Sequence, residues 1–265
     1  FDIAYSIDLK RIESLWSDHT KGVAVRSSLI SAPTKAISFE VPPVQISLDP
    51  LTLTVGEARL SCPVTARLYD FGVVSLSIRI PTTGMSWEEF TGFTNEVDRL
   101  IGSASGENPW RLILDRLRKD LGSALHRPTS SLLQEDHLIA VVDQWSEPVI
   151  GADLSGRIDL IPILTGEHRS LSEKARADLL RQSFSYYDDD LVVVTWERAF
   201  IHEPRNDSDV ADIIEVANAQ LLEFRYYDQL LNEELPRMYE LVRKARLTRN
   251  IFSSRGFSLI PICRC

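Results

Sequence analysis

Leu191-Val192-Val193-Val194-Thr195-Trp196, then Glu203-Pro204-Arg205-Asn206-Asp207, then a run without Gly as far as Arg246: the reading of this stretch decides the reading of the whole chain. The first segment has the β-branched text of a short strand, and the second supplies turn residues. From Val210 the positions recur at alternating spacings of three and four, as Val210, Ile214, Ala217, Leu221, Phe224, Asp228, Leu231, Leu235, Met238, Val242 and Ala245. That is a heptad seam with one polar interruption, and it predicts a long helix that packs against another surface. Leu221, Phe224, Arg225, Asp228, Leu231 and Leu235 are its candidate interaction residues.

Asp228 is the informative member of the seam. An ionised carboxylate there must pair or stay wet, and Arg225, three residues earlier, is the local partner expected. Either the seam is exposed at that turn or a buried polar group fixes the register of what packs on it. Pro236 removes a backbone donor and crowds the preceding turn, which predicts a kink or break near Leu235.

Working outward, Phe1 to Leu9 alternates like a half-buried strand and runs into a short helix carrying Ile12, Leu15 and Trp16. From Ile37 to Pro81 the text is almost all β. The segments Ile37–Val41, Val44–Leu48, Leu51–Val55, Val64–Tyr69 and Val73–Ile80 are separated by Pro42-Pro43, Asp49-Pro50, Gly56-Glu57 and Asp70-Phe71-Gly72. These separators supply the special φ angles of tight connections, which predicts an antiparallel meander.

Ser86-Trp87-Glu88-Glu89 has the form of a capping box, opening a helix through Phe90, Phe93, Val97, Leu100 and Ile101. A second helix from Pro109 turns Leu112, Ile113, Leu117 and Leu121 inward. Strand text returns near His137–Trp145, and Ser170-Leu171-Ser172-Glu173 opens a third helix. The fold class is α+β: a largely antiparallel sheet with covering helices and a long C-terminal heptad-patterned helix. The organisation expected is an α+β body over 1–206, the long helix over 207–248, and an irregular tail over 249–265.

A chain of 265 residues with 44% hydrophobic content can bury a sizeable core. A formal net charge of −9 opposes a generic phosphate-backbone interaction, so no nucleic acid is expected as a partner. Three cysteines, Cys62, Cys263 and Cys265, make no even-numbered disulfide framework, and a reducing, cytoplasmic setting is the expectation. No run approaches the ~18–20 apolar residues that a membrane-spanning helix needs.

The five histidines are scattered, none at spacings that would present two ligands to one metal. Asp188-Asp189-Asp190 with Glu197 and Glu203 could gather oxygen ligands for a hard cation such as Mg²⁺. A run of three aspartates before a strand is also an ordinary solvated turn that protects a sheet edge. The glycines form no phosphate-cradling pattern and no nucleophile elbow occurs, while Cys62 beside Pro63 lies in strand text without a nearby histidine. No catalytic residue, cofactor or metal site is therefore assigned. The aromatic residues Trp196, Phe200, Tyr226 and Tyr227 have the spacing of core positions rather than of a binding platform.

Tyr69-Asp70-Phe71-Gly72-Val73-Val74, the pairs Trp196-Glu197 and Glu203-Pro204, and the helix text Leu221-Leu222-Glu223-Phe224-Arg225 and Leu230-Leu231-Asn232 together resemble the family named "required for meiotic nuclear division". The resemblance covers about a third of the chain. It implies an α/β body without known catalysis, and in the bacterial branch a C-terminal coiled coil followed by a membrane anchor. An anchor of that kind would lie on a segment absent from this chain. The functional expectation is a non-enzymatic assembly or scaffold protein acting through its long helix, by self-association or a protein partner. The alternative is a metal-dependent hydrolase or nucleotide-processing enzyme using the carboxylates between Asp188 and Glu203.

Overall fold

The computed structural model describes residues 1–20, 24–26, 40–102, 109–129, 133–147, 149–167 and 169–249. The expected strand text at 37–39 and the tail from residue 250 lie outside the described residues. In chain order the elements are β1 (Ala4–Ile7), α1 (Leu9–Thr20), β2 (Ala24–Arg26), β3 (Val44–Val55), β4 (Ala58–Leu68), β5 (Val74–Ile78), α2 (Trp87–Ile101) and α3 (Pro109–Leu121). They continue with β6 (Leu125–Pro128), β7 (Leu138–Val142), α4 (Gly151–Arg157), α5 (Ile161–Thr165), α6 (Glu173–Leu180), β8 (Ser183–Phe184), β9 (Leu191–Val194), β10 (Arg198–His202) and α7 (Asp209–Arg249). The α+β class is what the structure shows. Among the described residues its strand pairs are antiparallel except β7 with β10.

The first four-stranded sheet has the order β2-β3-β4-β5. Asp49-Pro50 is not the break between strands that its composition suggests, because β3 runs through it as a bulge. Leu48 pairs with Val64 and Leu51 with Cys62, so two residues of β3 stand opposite one of β4. The extra residue switches the inward parity of the strand, from Val44 and Ile46 before it to Leu53 and Val55 after it. Val44, Ile46, Ala66, Leu68 and Val74 join Ile12 of α1 and Leu114 and Leu117 of α3 in one core cluster. Leu53, Val55 and Cys62 join Val97 of α2 in another. Leu112, expected inward, is exposed, and Leu114 takes its place.

At the β4–β5 turn, Gly72 adopts a left-handed φ of 94°, and a Cβ added there would collide with the carbonyl of Ala4. The close approach lets the chain start dock on the turn. Ile3 N donates to Gly72 O at 3.1 Å, Ile7 N to Asp70 O at 2.9 Å, and Val74 N to Phe1 O at 2.9 Å.

The second four-stranded sheet has the order β7-β10-β9-β8. Every residue of central β10 is buried. Phe200 faces a cluster with Leu154 of α4 and Ile163 of α5, against which Trp87 and Phe90 of α2 pack, while Ala199 and Ile201 face Ile214 of α7. The capping box that opens α2 is complete: Ser86 Oγ accepts from Glu89 N and a Glu89 carboxylate oxygen accepts from Ser86 N. The chain divides into a compact unit over Phe1–Leu222 and a second unit that begins at Glu223.

Candidate interaction surface

Helix α7 opens on a local hydrogen bond and first-turn acids. Asp209 N donates to the Asp207 carboxylate at 3.0 Å, Asp212 N to Ser208 O at 2.9 Å, and Asp209 and Asp212 place negative charge on the first turn, where the helix dipole favours it. Its first third, within the first unit, packs against both four-stranded sheets. Ile214 joins the cluster on the second four-stranded sheet, and Val216, Ala219 and Leu222 join Tyr69 and Val73 at the turn between β4 and β5 of the first.

Between these apolar contacts lies a buried charge network. Arg67 of β4, with a side chain only 9% exposed, donates to Glu215 at 2.8 Å, to Asp212 at 3.0 Å and to Gln45 of β3 at 2.9 Å. The Tyr69 hydroxyl donates to Glu215 at 3.3 Å. Burial pushes the Glu215 carboxyl above its ordinary value, outweighing the pull of Arg67. Burial also pushes the Tyr69 hydroxyl up. Burial opposes the charge on Arg67, but the two carboxylates outweigh it and hold the guanidinium protonated.

This network alters which face of the helix is inward. The seam expected from spacing passes through Ala217 and Leu221, yet Ala217 is exposed and Leu221 only half-buried, while Val216, Ala219 and Leu222 are buried. Asp212 and Glu215, which lie off the expected seam, turn toward the sheet and meet Arg67. Two acidic residues at i and i+3 among Ala211, Ile214 and Val216 are the signal that could have revealed a buried cation opposite.

In the second unit the seam is uncovered. Phe224 is 70% exposed, Leu231 55%, Leu235 44%, Met238 53% and Val242 51%. Arg225 and Asp228 are exposed as well, and Asp228 accepts a hydrogen bond from Asn232 at 3.3 Å. Among the described residues no buried apolar cluster includes a residue beyond Leu222. Away from the seam, charged and polar side chains pair with one another, Arg237 with Glu234 at 2.6 Å, Arg243 with Glu240 at 3.0 Å and Gln229 with Glu233 at 3.0 Å, beside the exposed Tyr227, Leu230, Tyr239 and Leu241. The helix runs unbroken through Pro236, correcting the break expected near Leu235.

The carboxylates between Asp188 and Glu203 do not converge. Asp190 is buried, accepting from the backbone N–H groups of Tyr186 and Tyr187 at 2.8 and 3.1 Å. Glu203 is held by Arg205 at 3.0 Å, and the Arg205 guanidinium lies 3.8 Å from the ring centroid of Tyr187. Among the described residues no group of three or more His, Cys, Asp or Glu side chains is placed to hold a metal ion. Cys62 is buried and its thiol pushed up by that burial, the opposite of activation. Phe200 is core, but Trp196 is 71% exposed. Sequence reading also passed over Arg198, whose guanidinium is buried against Asn95, the carbonyl of Ile163 and Asp98, tying β10 to α2 and α5.

Residues 1–209 match the family described as "Uncharacterized protein MJ0711, N-terminal domain". The chain belongs to this family. The match covers both four-stranded sheets, the paired strands β1 and β6 and the covering helices, and stops where α7 starts, so the MJ0711 N-terminal domain here is the body on which the helix is anchored. The match supplies no link to the meiotic nuclear division family. No curated protein and no solved structure matches the chain. Among the described residues no helix is long and apolar enough to cross a membrane.

Proposed function

We propose that this chain is a non-enzymatic assembly protein that joins to a second copy of itself through the seam from Leu221 to Val242. The observation that carries the reading is the concentration of nine exposed large apolar side chains between Phe224 and Val242, five of them at the heptad positions. Exposed apolar residues scattered singly are ordinary, whereas a continuous apolar stripe on a helix marks an association surface. The five exposed seam side chains of each helix are about half covered in the single chain, so burying all ten in a pair contributes about half of the 1.5–3 kcal/mol that full burial of each would give, a sum comparable with the ~4–15 kcal/mol of freedom lost on association.

A membrane tether would lie on a segment outside this chain, and what supports it is the resemblance to the meiotic nuclear division family alone. The test of self-association is light scattering coupled to gel filtration across a range of concentrations. The intact chain is expected at twice its 30.0 kDa mass or more, and a Leu231→Asp/Leu235→Asp variant at the monomer mass with the same circular dichroism. A monomeric intact chain, or a variant that keeps the larger mass, overturns the proposal.

A further inference from the structure

The side chains that flank the seam choose between the two ways in which identical helices can pair. In a parallel, in-register pair each seam residue meets its own copy, so Asp228 faces Asp228 in an otherwise apolar stripe. Two carboxylates desolvated against each other are costly, and the hydrogen bond that Asp228 accepts from Asn232 on its own helix does not neutralise its charge. The flanks are no better. A parallel pair sets the exposed Tyr227 beside Asn232 of the copy, and Glu234 beside the exposed Tyr239.

An antiparallel pair with its two-fold axis near Glu233 separates the two Asp228 carboxylates and regroups the flanks. The layers become Phe224 with Val242, Leu231 with Leu235, and Asp228 with Met238 of the copy, and each layer recurs on the other side of the axis, as an isologous contact requires. Apolar side chains then meet along the flank, since Tyr227 lies beside Leu241 of the copy, a residue 66% exposed in the single chain. On the other flank Arg225 lies beside Tyr239 of the copy, a cation against an aromatic ring that is 73% exposed. Glu234 approaches its own copy at the axis, but it already carries Arg237 at 2.6 Å.

We infer that the partner of this helix is a second copy of the same helix running antiparallel to it, with Phe224 of each chain against Val242 of the other. This rests on the self-association reading and adds direction and register to it. A cysteine at each of two seam layers tests it, in the full chain with Cys263→Ser and Cys265→Ser to remove competing thiols. Under mild oxidation, a mixture of Phe224→Cys chains and larger, tagged Val242→Cys chains is expected to give a covalent mixed dimer. Neither variant alone is expected to give one, because the bond requires Cα atoms within ~7 Å. A covalent dimer from Phe224→Cys alone shows parallel pairing and overturns the orientation while leaving self-association standing. A monomeric mass for the Cys263→Ser/Cys265→Ser background, measured by light scattering at the same concentration, overturns both.

Discussion

Arg67 of β4 and Glu215 of α7 lie 148 positions apart in sequence and 2.8 Å apart in the fold. The pair, with Asp212, fastens the start of the long helix to the first sheet. Replacing Arg67 by Met would leave two carboxylates facing each other in a buried setting, and breaking a buried pair from one side costs about 3–5 kcal/mol. Urea melts at neutral pH should show a loss of that order. A loss under about 1 kcal/mol would mean that the network contributes little.

The raised proton affinity of Glu215 makes a prediction with a definite sign. Its native value is raised above the ordinary 4.5, first by burial, so the native state binds the proton more tightly than the unfolded chain. The stability this group contributes is therefore fully present in acid and falls as pH rises from 4.5 through the native value. Glu215→Gln cannot titrate, so its stability relative to the parent should improve between pH 4.5 and pH 7. Parallel urea titrations at the two pH values check this, and a variant that loses ground over the same interval contradicts it.

Gly72 combines two demands that alanine cannot meet, a φ of 94° and contact with the Ala4 carbonyl. Gly72→Ala should lose at least ~3 kcal/mol, since strain and collision add. Gly84 has a φ of 69° with open space around it, and Gly84→Ala should cost only about 1 kcal/mol. Denaturant midpoints of the two variants give the comparison, and equal losses would remove the docking of the chain start as the cause.

Adjacent positions on α7 should respond to different measurements. Leu222 is 1% exposed and Leu222→Ala should cost about 2–5 kcal/mol. Phe224→Ala should leave the melt of the first unit within about 0.5 kcal/mol and instead weaken association, which dilution followed by light scattering detects. Similar melts for both variants would return Phe224 to a core.

The α+β class, the long helix and the capping box at Ser86 were legible because each is written in local pattern. The bulge at Asp49-Pro50 was not, because a residue pair that ends one strand and a pair that bulges within another have the same composition. The inward face of α7 was misplaced for a different reason. Apolar periodicity assumes that inward means apolar, and here Asp212 and Glu215 are inward because Arg67 lies opposite. Arg198 was missed on the same assumption, since an arginine beside Ala199 and Phe200 looks like a strand end. The uncovered seam from Phe224 onward was legible as a pattern, but its exposure was not, because spacing alone does not say what lies across it.

The Arg67–Glu215 pair also bears on how the chain is made. Ribosomes add about 5–20 residues per second, so Arg67 emerges on the order of ten seconds before the carboxylate that will neutralise it. Throughout that interval the guanidinium stays hydrated and the face of the sheet that carries it stays open. The family match ends at residue 209, three residues short of Asp212 and six short of Glu215. A fragment cut at that boundary would hold its sheet in the condition of a nascent chain, complete in sequence similarity and lacking the two charges that close it.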